Sequence, residues 1–212
     1  MRMRRKQYRA EVLSQHQDIL ENDPAAWQGN WKQRLGCTSL HVELGSGKGD
    51  YLLGMAKLFP ESGWIAIERN LDIVALALRK ATGQALANIC WIAADAKDLA
   101  LWFAPQEIAV IHLNFSDPWP KNAHTKRRLT AESFLSSYYT LLETGGTVIL
   151  KSDNADLMEY SRRVLPRNGF TLVESSDDYR SISHPQEVIS EYEARFIQQG
   201  QPIYQTKWQV NK

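Results

Sequence analysis

From residue 38 onward, short apolar runs rich in β-branched residues alternate with longer stretches whose apolar positions recur at helical spacing. Thr38 to Leu44, Gly63 to Glu68, Ile89 to Asp95, Ile108 to Phe115 and Thr147 to Ser152 read as strands. Asp50 to Phe59, Leu71 to Thr82 and Thr130 to Glu143 read as the helices between them, stopped by Pro60, Gly83 and the pair Gly145-Gly146. A helix over about 154–165, a strand from Phe170 to Glu174, a helix near 187–198 and a last strand from Ile203 to Val210 complete the pattern. This order is the signature of βαβ units. It predicts an α/β fold, doubly wound around a mostly parallel sheet of seven strands. In such sheets ligands bind beyond the carboxyl ends of the strands, where the strand order reverses, so the chemistry is expected in the loops that follow them.

A chain of 212 residues, 43% hydrophobic, can bury one full-sized core, and a single domain over residues 1–212 is expected. No apolar run approaches the roughly 18–20 residues of a membrane span. The opening Met1-Arg2-Met3-Arg4-Arg5-Lys6 runs into polar chain, not into the apolar stretch of a signal peptide. A cytoplasmic protein with no membrane partner is the expectation. Cys37 and Cys90 sit in apolar surroundings without zinc-site spacing, so they read as reduced core residues and no metal is expected.

The net charge is only +1, but the charge is clumped, and local density is what a polyanion senses. Arg2, Arg4, Arg5, Lys6 and Arg9 precede the first acid, Glu11, in a basic N-terminal segment of about residues 1–36 whose order the sequence leaves open. A second cluster, Lys121, His124, Lys126, Arg127 and Arg128, has no acid between Asp117 and Glu132.

The first predicted strand runs into Glu43-Leu44-Gly45-Ser46-Gly47-Lys48-Gly49, with a helix directly after it. Glycines at alternate positions allow a tight turn and close approach of a ligand. A P-loop would need Lys followed by Ser or Thr, and Gly49 stands there instead. A dinucleotide fingerprint needs G-x-G-x-x-G, and Glu43 would repel a pyrophosphate. The same carboxylate suits a ligand carrying ammonium and sulfonium charges, which S-adenosylmethionine does. Glu68, nineteen residues beyond Gly49, is placed to accept from both hydroxyls of a ribose, and Asp95 ends the strand beside the expected adenine position. Gly45, Gly47, Glu43, Glu68 and Asp95 are therefore the candidate cofactor residues.

The loop after the fourth predicted strand is Asn114-Phe115-Ser116-Asp117-Pro118-Trp119-Pro120-Lys121. Two prolines around a tryptophan fix its path, because each sets its own φ and restricts the preceding residue. A rigid aromatic loop followed by Lys126-Arg127-Arg128 suits an unstacked RNA base held between flanking phosphates.

The segment from Asn114 to Leu129 resembles the signature of the bacterial tRNA (guanine-N7)-methyltransferase family. The glycine loop, Glu68, Asp95 and the stretch Ser190-Glu191-Tyr192-Glu193, followed by Gly200-Gln201-Pro202-Ile203-Tyr204, also fall where that family's elements fall. The resemblance implies a Rossmann-like class I S-adenosylmethionine-dependent methyltransferase acting on tRNA in its variable loop. It implies that Glu43, Glu68, Asp95 and Asp117 line the cofactor site, with Asp117 as the catalytic acid residue. Lys121, Asp153 and the Ser190 to Glu193 segment would then contact the guanosine. Apart from the resemblance, the basic cluster His124, Lys126, Arg127 and Arg128 is the candidate for gripping the flanking RNA phosphates. Ser190 departs from the threonine usual in the family, keeping the hydroxyl but losing the stiffening β-methyl.

Guanine N7 is a neutral nucleophile with an in-plane lone pair, so the expected task of the site is alignment plus a carboxylate, Asp117 or Asp153, at the Watson–Crick edge. Three other readings remain open at this level. Asp117-Pro118-Trp119 also resembles the loop of amino-methyltransferases, without their second adjacent proline. A NAD-dependent oxidoreductase fits the sheet but not the glycine spacing. A non-catalytic RNA-binding protein would bind S-adenosylhomocysteine without transferring a methyl group. No obligatory protein partner is expected, and monomer or homodimer is undecided.

Overall fold

The computed structural model describes residues 2–212, and side chains from residue 7 onward. The chain opens with helix α1 (Arg2–Gln15), a two-residue strand β1 (Leu20–Glu21), a 3-10 turn at Pro24–Trp27 and the short helix α2 (Trp31–Arg34). Then come β2 (Ser39–Leu44), α3 (Asp50–Leu58), β3 (Ser62–Ile67), α4 (Leu71–Ala81), β4 (Ile89–Ile92), α5 (Leu99–Trp102) and β5 (Ile108–Asn114). The second half is α6 (Glu132–Leu141), β6 (Leu142–Ser152), α7 (Ala155–Val164), β7 (Phe170–Ser176), α8 (Glu191–Gln198) and β8 (Tyr204–Val210).

Among the described residues one sheet holds eight strands in the order β1-β4-β3-β2-β5-β6-β8-β7, parallel except where β8 pairs antiparallel with β6 and with β7. The order reverses at β2 and β5, which lie side by side with Glu43 opposite His112. The expected doubly wound architecture is present. Its extra strand is β1, where Leu20 and Glu21 pair with Trp91 and Ile92; two residues carry no period for a sequence to display.

Alternation along the strands sends one set of side chains to each face of the sheet. Leu40, Val42, Leu44, Ile65 and Ile111 pack into one core with Trp31, Phe103, Leu135, Tyr138 and Leu165. On the other face Trp64, Ala66 and Trp91 pack against Leu52, Ala56, Val74 and Leu78 of α3 and α4, with Val12 of α1 joining them. Helix α1 is tied down further by Arg9 to Asp72, and just past its end His16 meets the Thr82 hydroxyl. The side chains of Arg2, Arg4, Arg5 and Lys6 lie outside the described residues.

Two elements differ from their sequence pattern for identifiable reasons. Strand β6 starts at Leu142 and runs through Gly145-Gly146, with a register shift opposite Ile108 and Val110. A Cβ on Gly146 would come within 2.9 Å of the Glu143 carbonyl and 3.1 Å of the Ala109 carbonyl, so glycine here admits two close backbones at a bulge and does not end an element. Helix α8 begins at Glu191, not near residue 187, because Ser190 caps it: the Ser190 hydroxyl accepts from the Glu193 N–H, and the Glu193 carboxylate accepts from the Ser190 N–H.

Candidate active site

Beyond the carboxyl ends of β2 and β5 lies a cleft of about 880 Å³. At its base Asn114 Nδ2 donates to Glu43 Oε1 at 2.9 Å. Both side chains are buried, and Glu43 Oε2 and Asn114 Oδ1 have no hydrogen-bond partner among the described residues. Burial pushes the Glu43 carboxyl up to about 7; the Asn114 bond and Lys151 oppose that shift, and Asp50 adds to it. Two bare acceptors, one of them a carboxylate, at the end of a hydrogen-bonded pair constitute a receptor for a cationic donor such as an α-ammonium group.

The glycine loop between β2 and α3 forms the adjoining wall. Gly45 and Gly47 have φ of 72° and 55°, left-handed values that glycine adopts without a Cβ penalty. A Cβ at either would meet nothing within 4 Å, so the loop borders open space. Gly45 N–H and Ser46 N–H are held by the Ile67 carbonyl, and Gly47 N–H donates to Glu68 Oε2 at 3.3 Å. Glu68 Oε1 accepts from Asn70 N–H at 2.8 Å, so the carboxylate is fixed at the end of β3. Asp95 caps a 3-10 turn through Lys97 N–H at 3.1 Å and lines the same cleft. The donor set fits S-adenosylmethionine: a buried acidic acceptor for its amino group, open glycine backbone, and carboxylates at two successive strand ends for ribose and adenine.

The opposite wall is the loop after β5. Phe115 and Trp119 both carry positive φ, 51° and 43°, which strains a bulky residue and persists only where the surroundings impose it. The surroundings are visible. Phe115 N–H donates to the Lys151 carbonyl at 2.8 Å, and its ring stacks on Phe196 of α8 with centroids 5.6 Å apart. Arg128, itself buried, donates to the carbonyls of Pro118 at 2.9 Å and Trp119 at 3.1 Å, and its guanidinium lies 4.3 Å from the centre of the Tyr160 ring. The indole of Trp119 is flanked by His124, edge-on at 5.5 Å, and by the Arg127 guanidinium at 4.9 Å. Asp117 is exposed and lines the cleft between these strained residues.

The cleft thus gathers Glu43, Gly45, Gly47, Glu68, Asp95, Asp117, Lys126, Arg127 and Ser190. It does not include the side chains of Lys121, His124, Arg128, Asp153 or Glu193 in its wall. Lys121 and Asp153 are exposed, and His124 packs edge-on to Trp119. Two residues expected on the substrate are placed otherwise. Arg128 spends its donors on loop carbonyls, and Glu193 is fully buried, paired with Lys151 and Arg180 and closing the cap of α8. Asn114 and Lys151 were absent from the sequence-based candidates. Their signal was there: His41, Glu43, His112, Asn114 and Lys151 are polar residues at alternate positions of the central strands, where an apolar face is the norm.

The chain is similar to known proteins over nearly its whole length. The family model described as "Putative methyltransferase" matches residues 37–206. A tRNA (guanine-N(7)-)-methyltransferase of Oceanobacillus iheyensis is 44% identical over 208 residues, covering 98% of each chain. One from Halalkalibacterium halodurans is 37% identical over 210 residues, covering 99% of this chain and 96% of its own. Among solved structures, an antibiotic-related methyltransferase superposes with a TM-score of 0.65 at 16% identity, over 86% of this chain and 94% of its own. A 16S rRNA (adenine(1408)-N(1))-methyltransferase from Catenulisporales acidiphilia, solved with its cosubstrate SAM, gives 0.61 at 12% identity over 91% and 93%. At such identities these two bear on the fold alone. With near full-length coverage by its curated relatives and a strand-end cleft of this composition, the chain belongs to the tRNA (guanine-N(7)-)-methyltransferase family.

Proposed function

We propose that this protein transfers the methyl group of S-adenosylmethionine to N7 of a guanosine in tRNA, in the variable loop, as a cytoplasmic enzyme that needs no protein partner. The observation that carries the reading is the unpartnered acceptor pair of Glu43 and Asn114 at the base of a glycine-walled cleft whose other wall is the strained, basic loop from Phe115 to Arg128. The variable-loop position rests on the family resemblance of that loop.

When bound, S-adenosylmethionine supplies a methyl group already activated by its sulfonium. Glu43 and Asn114 would receive its ammonium, Glu68 the ribose hydroxyls, and Asp95 the adenine side. Trp119 offers a ring for the guanine, and Lys126 and Arg127, both exposed on the cleft wall, offer charge for flanking phosphates. Alignment of this kind alone supplies roughly 7–11 kcal/mol of a barrier. As N7 gains a bond, positive charge spreads through the purine and makes its N1 and N2 hydrogens better donors. An Asp117 carboxylate accepting them binds that charge distribution more tightly than the neutral base. Asp153, just past the end of β6, is the second carboxylate for this edge.

A transcript carrying 7-deazaguanosine in place of guanosine tests the target atom, because the ring keeps its Watson–Crick edge and loses only the N7 lone pair. Binding without methyl transfer supports the reading; methylation of that transcript would move the target to another atom.

A further inference from the structure

Lys151 is completely enclosed. Its ammonium lies 3.0 Å from Glu187 Oε1 and 3.4 Å from Glu193 Oε2, and 4.6 Å from the centre of the Tyr51 ring. Arg180 closes the cluster from the other side, 2.5 Å from Glu193 Oε1 and 3.3 Å from Glu187 Oε2. Two cations thus face two carboxylates in a neutral, largely buried network. Apolar side chains of similar volume would commonly be as stable in such a place, so stability alone does not explain the charges. Ion pairs with defined hydrogen-bond directions fix a geometry that apolar packing leaves adaptable.

The network joins three parts of the site. Lys151 stands on β6, two residues before Asp153. Tyr51, whose hydroxyl donates to Glu187 Oε1 at 3.3 Å, is the second residue of α3 and follows the glycine loop directly. Glu187 and Glu193 bracket Ser190, Glu191 and Tyr192, all on the cleft wall. Between residues 177 and 190 the chain has no strand or helix apart from a 3-10 turn at Tyr179–Ser181. Further anchors agree in direction: Lys48 of the glycine loop meets both oxygens of Glu191 at 2.7 and 2.9 Å, and Val188 rests where a Cβ on Gly54 would come within 2.6 Å of it.

We propose that Lys151 is a positioning residue for methyl transfer. Together with Arg180 it locks residues 187–193 onto the sheet, so that Ser190 stands at a fixed place relative to Asp153 and the glycine loop before tRNA arrives. This inference rests on the role of Asp153 in the proposed function and on the guanosine contact that the family resemblance implies for Ser190.

The first test needs no activity. In Lys151→Met, hydrogen exchange at the amides of residues 187–194, including the capping-box amides of Ser190 and Glu193, should accelerate about tenfold or more while the amides of β5 keep their protection. S-adenosylhomocysteine affinity, measured well above pH 7 so that Glu43 is ionised without help from Lys151, should stay within about threefold, and kcat on tRNA should fall about tenfold or more with a smaller change in KM. Lys151→Arg, which keeps the charge, should recover part of both losses. If Lys151→Met does not fold, Glu187→Gln removes one partner more gently and should move exchange and kcat in the same direction. A folded variant with wild-type exchange over 187–194, or with a loosened segment and wild-type kcat, overturns the proposal. Should the wild-type protein methylate no tRNA, the functional reading fails separately, and the exchange data still decide the lock.

Discussion

Asn114 satisfies one oxygen of Glu43 across 2.9 Å and leaves the other bare, so two neighbouring strand ends present a half-finished hydrogen-bond pair to the cleft. The pair is inherited directly from the parallel register of β2 and β5, which sets Glu43 opposite His112 and hence beside Asn114. An incomplete pair in a buried place is costly unless something completes it.

Glu43 should therefore couple ligand binding to pH. With its carboxyl raised to about 7, the free protein holds a proton there at lower pH, and a cationic amino-acid head must displace it. Affinity for S-adenosylhomocysteine should fall as pH drops below 7, by up to about tenfold per unit, and level off above it. In Glu43→Gln that dependence should vanish. Stability should show the converse. The unfolded chain releases this proton near the ordinary value of 4.5, so the contribution of Glu43 is full below that value and is lost as pH rises towards about 7. Glu43→Gln should then stabilise the free protein at pH 8 by up to about 3 kcal/mol, measured by denaturant titration.

Glu68 is held by two backbone N–H groups and faces the cleft, so Glu68→Ala should weaken S-adenosylmethionine binding without unfolding the protein. A charged acceptor contributes roughly 1.5–3 kcal/mol, or about 10- to 100-fold in affinity. Calorimetry giving the wild-type constant would remove Glu68 from the site.

The three consecutive basic residues after Thr125 should separate by role. Lys126 and Arg127 are exposed, and neutralising both should lower the magnitude of the salt slope of tRNA binding by about 0.7–0.9 for each phosphate that is no longer neutralised. Arg128→Ala should instead destabilise the fold by about 2–4 kcal/mol, because it frees two loop carbonyls and removes packing against Tyr160. Equal slopes in wild type and in the Lys126 and Arg127 variant would make those side chains a solvated face.

The reasons why some of this was legible in the sequence and some was not are physical. Strand positions and the reversal point follow from alternation and βα order, and glycine spacing together with Glu43, Glu68 and Asp95 placed a whole cleft wall. Arg127 and Arg128 are indistinguishable as letters; one points to the cleft and the other folds back because a strained turn needs its donors. Ser190 to Glu193 carries a capping-box spacing as well as a family motif, and the first meaning decides where Glu193 goes. Lys151 lay inside an apolar strand, where only its partners, 36 and 42 residues away in the chain, explain a buried charge.

Asp117→Asn keeps size, loses charge and turns an acceptor into a partial donor. Its single-turnover rate at saturating cofactor and tRNA should fall by about 10²–10³, with tRNA affinity nearly intact. A rate within a few-fold of wild type would reduce Asp117 to a loop-shaping residue and shift the role to Asp153.

The most direct measurement is to incubate the protein with methyl-labelled S-adenosylmethionine and unmodified tRNA, then treat the product with borohydride and aniline, which cut the chain at 7-methylguanosine. The proposed chemistry predicts labelled tRNA that is cleaved at a single guanosine in the variable loop. Labelled tRNA that resists cleavage, or no label at all despite tight S-adenosylhomocysteine binding, would contradict it.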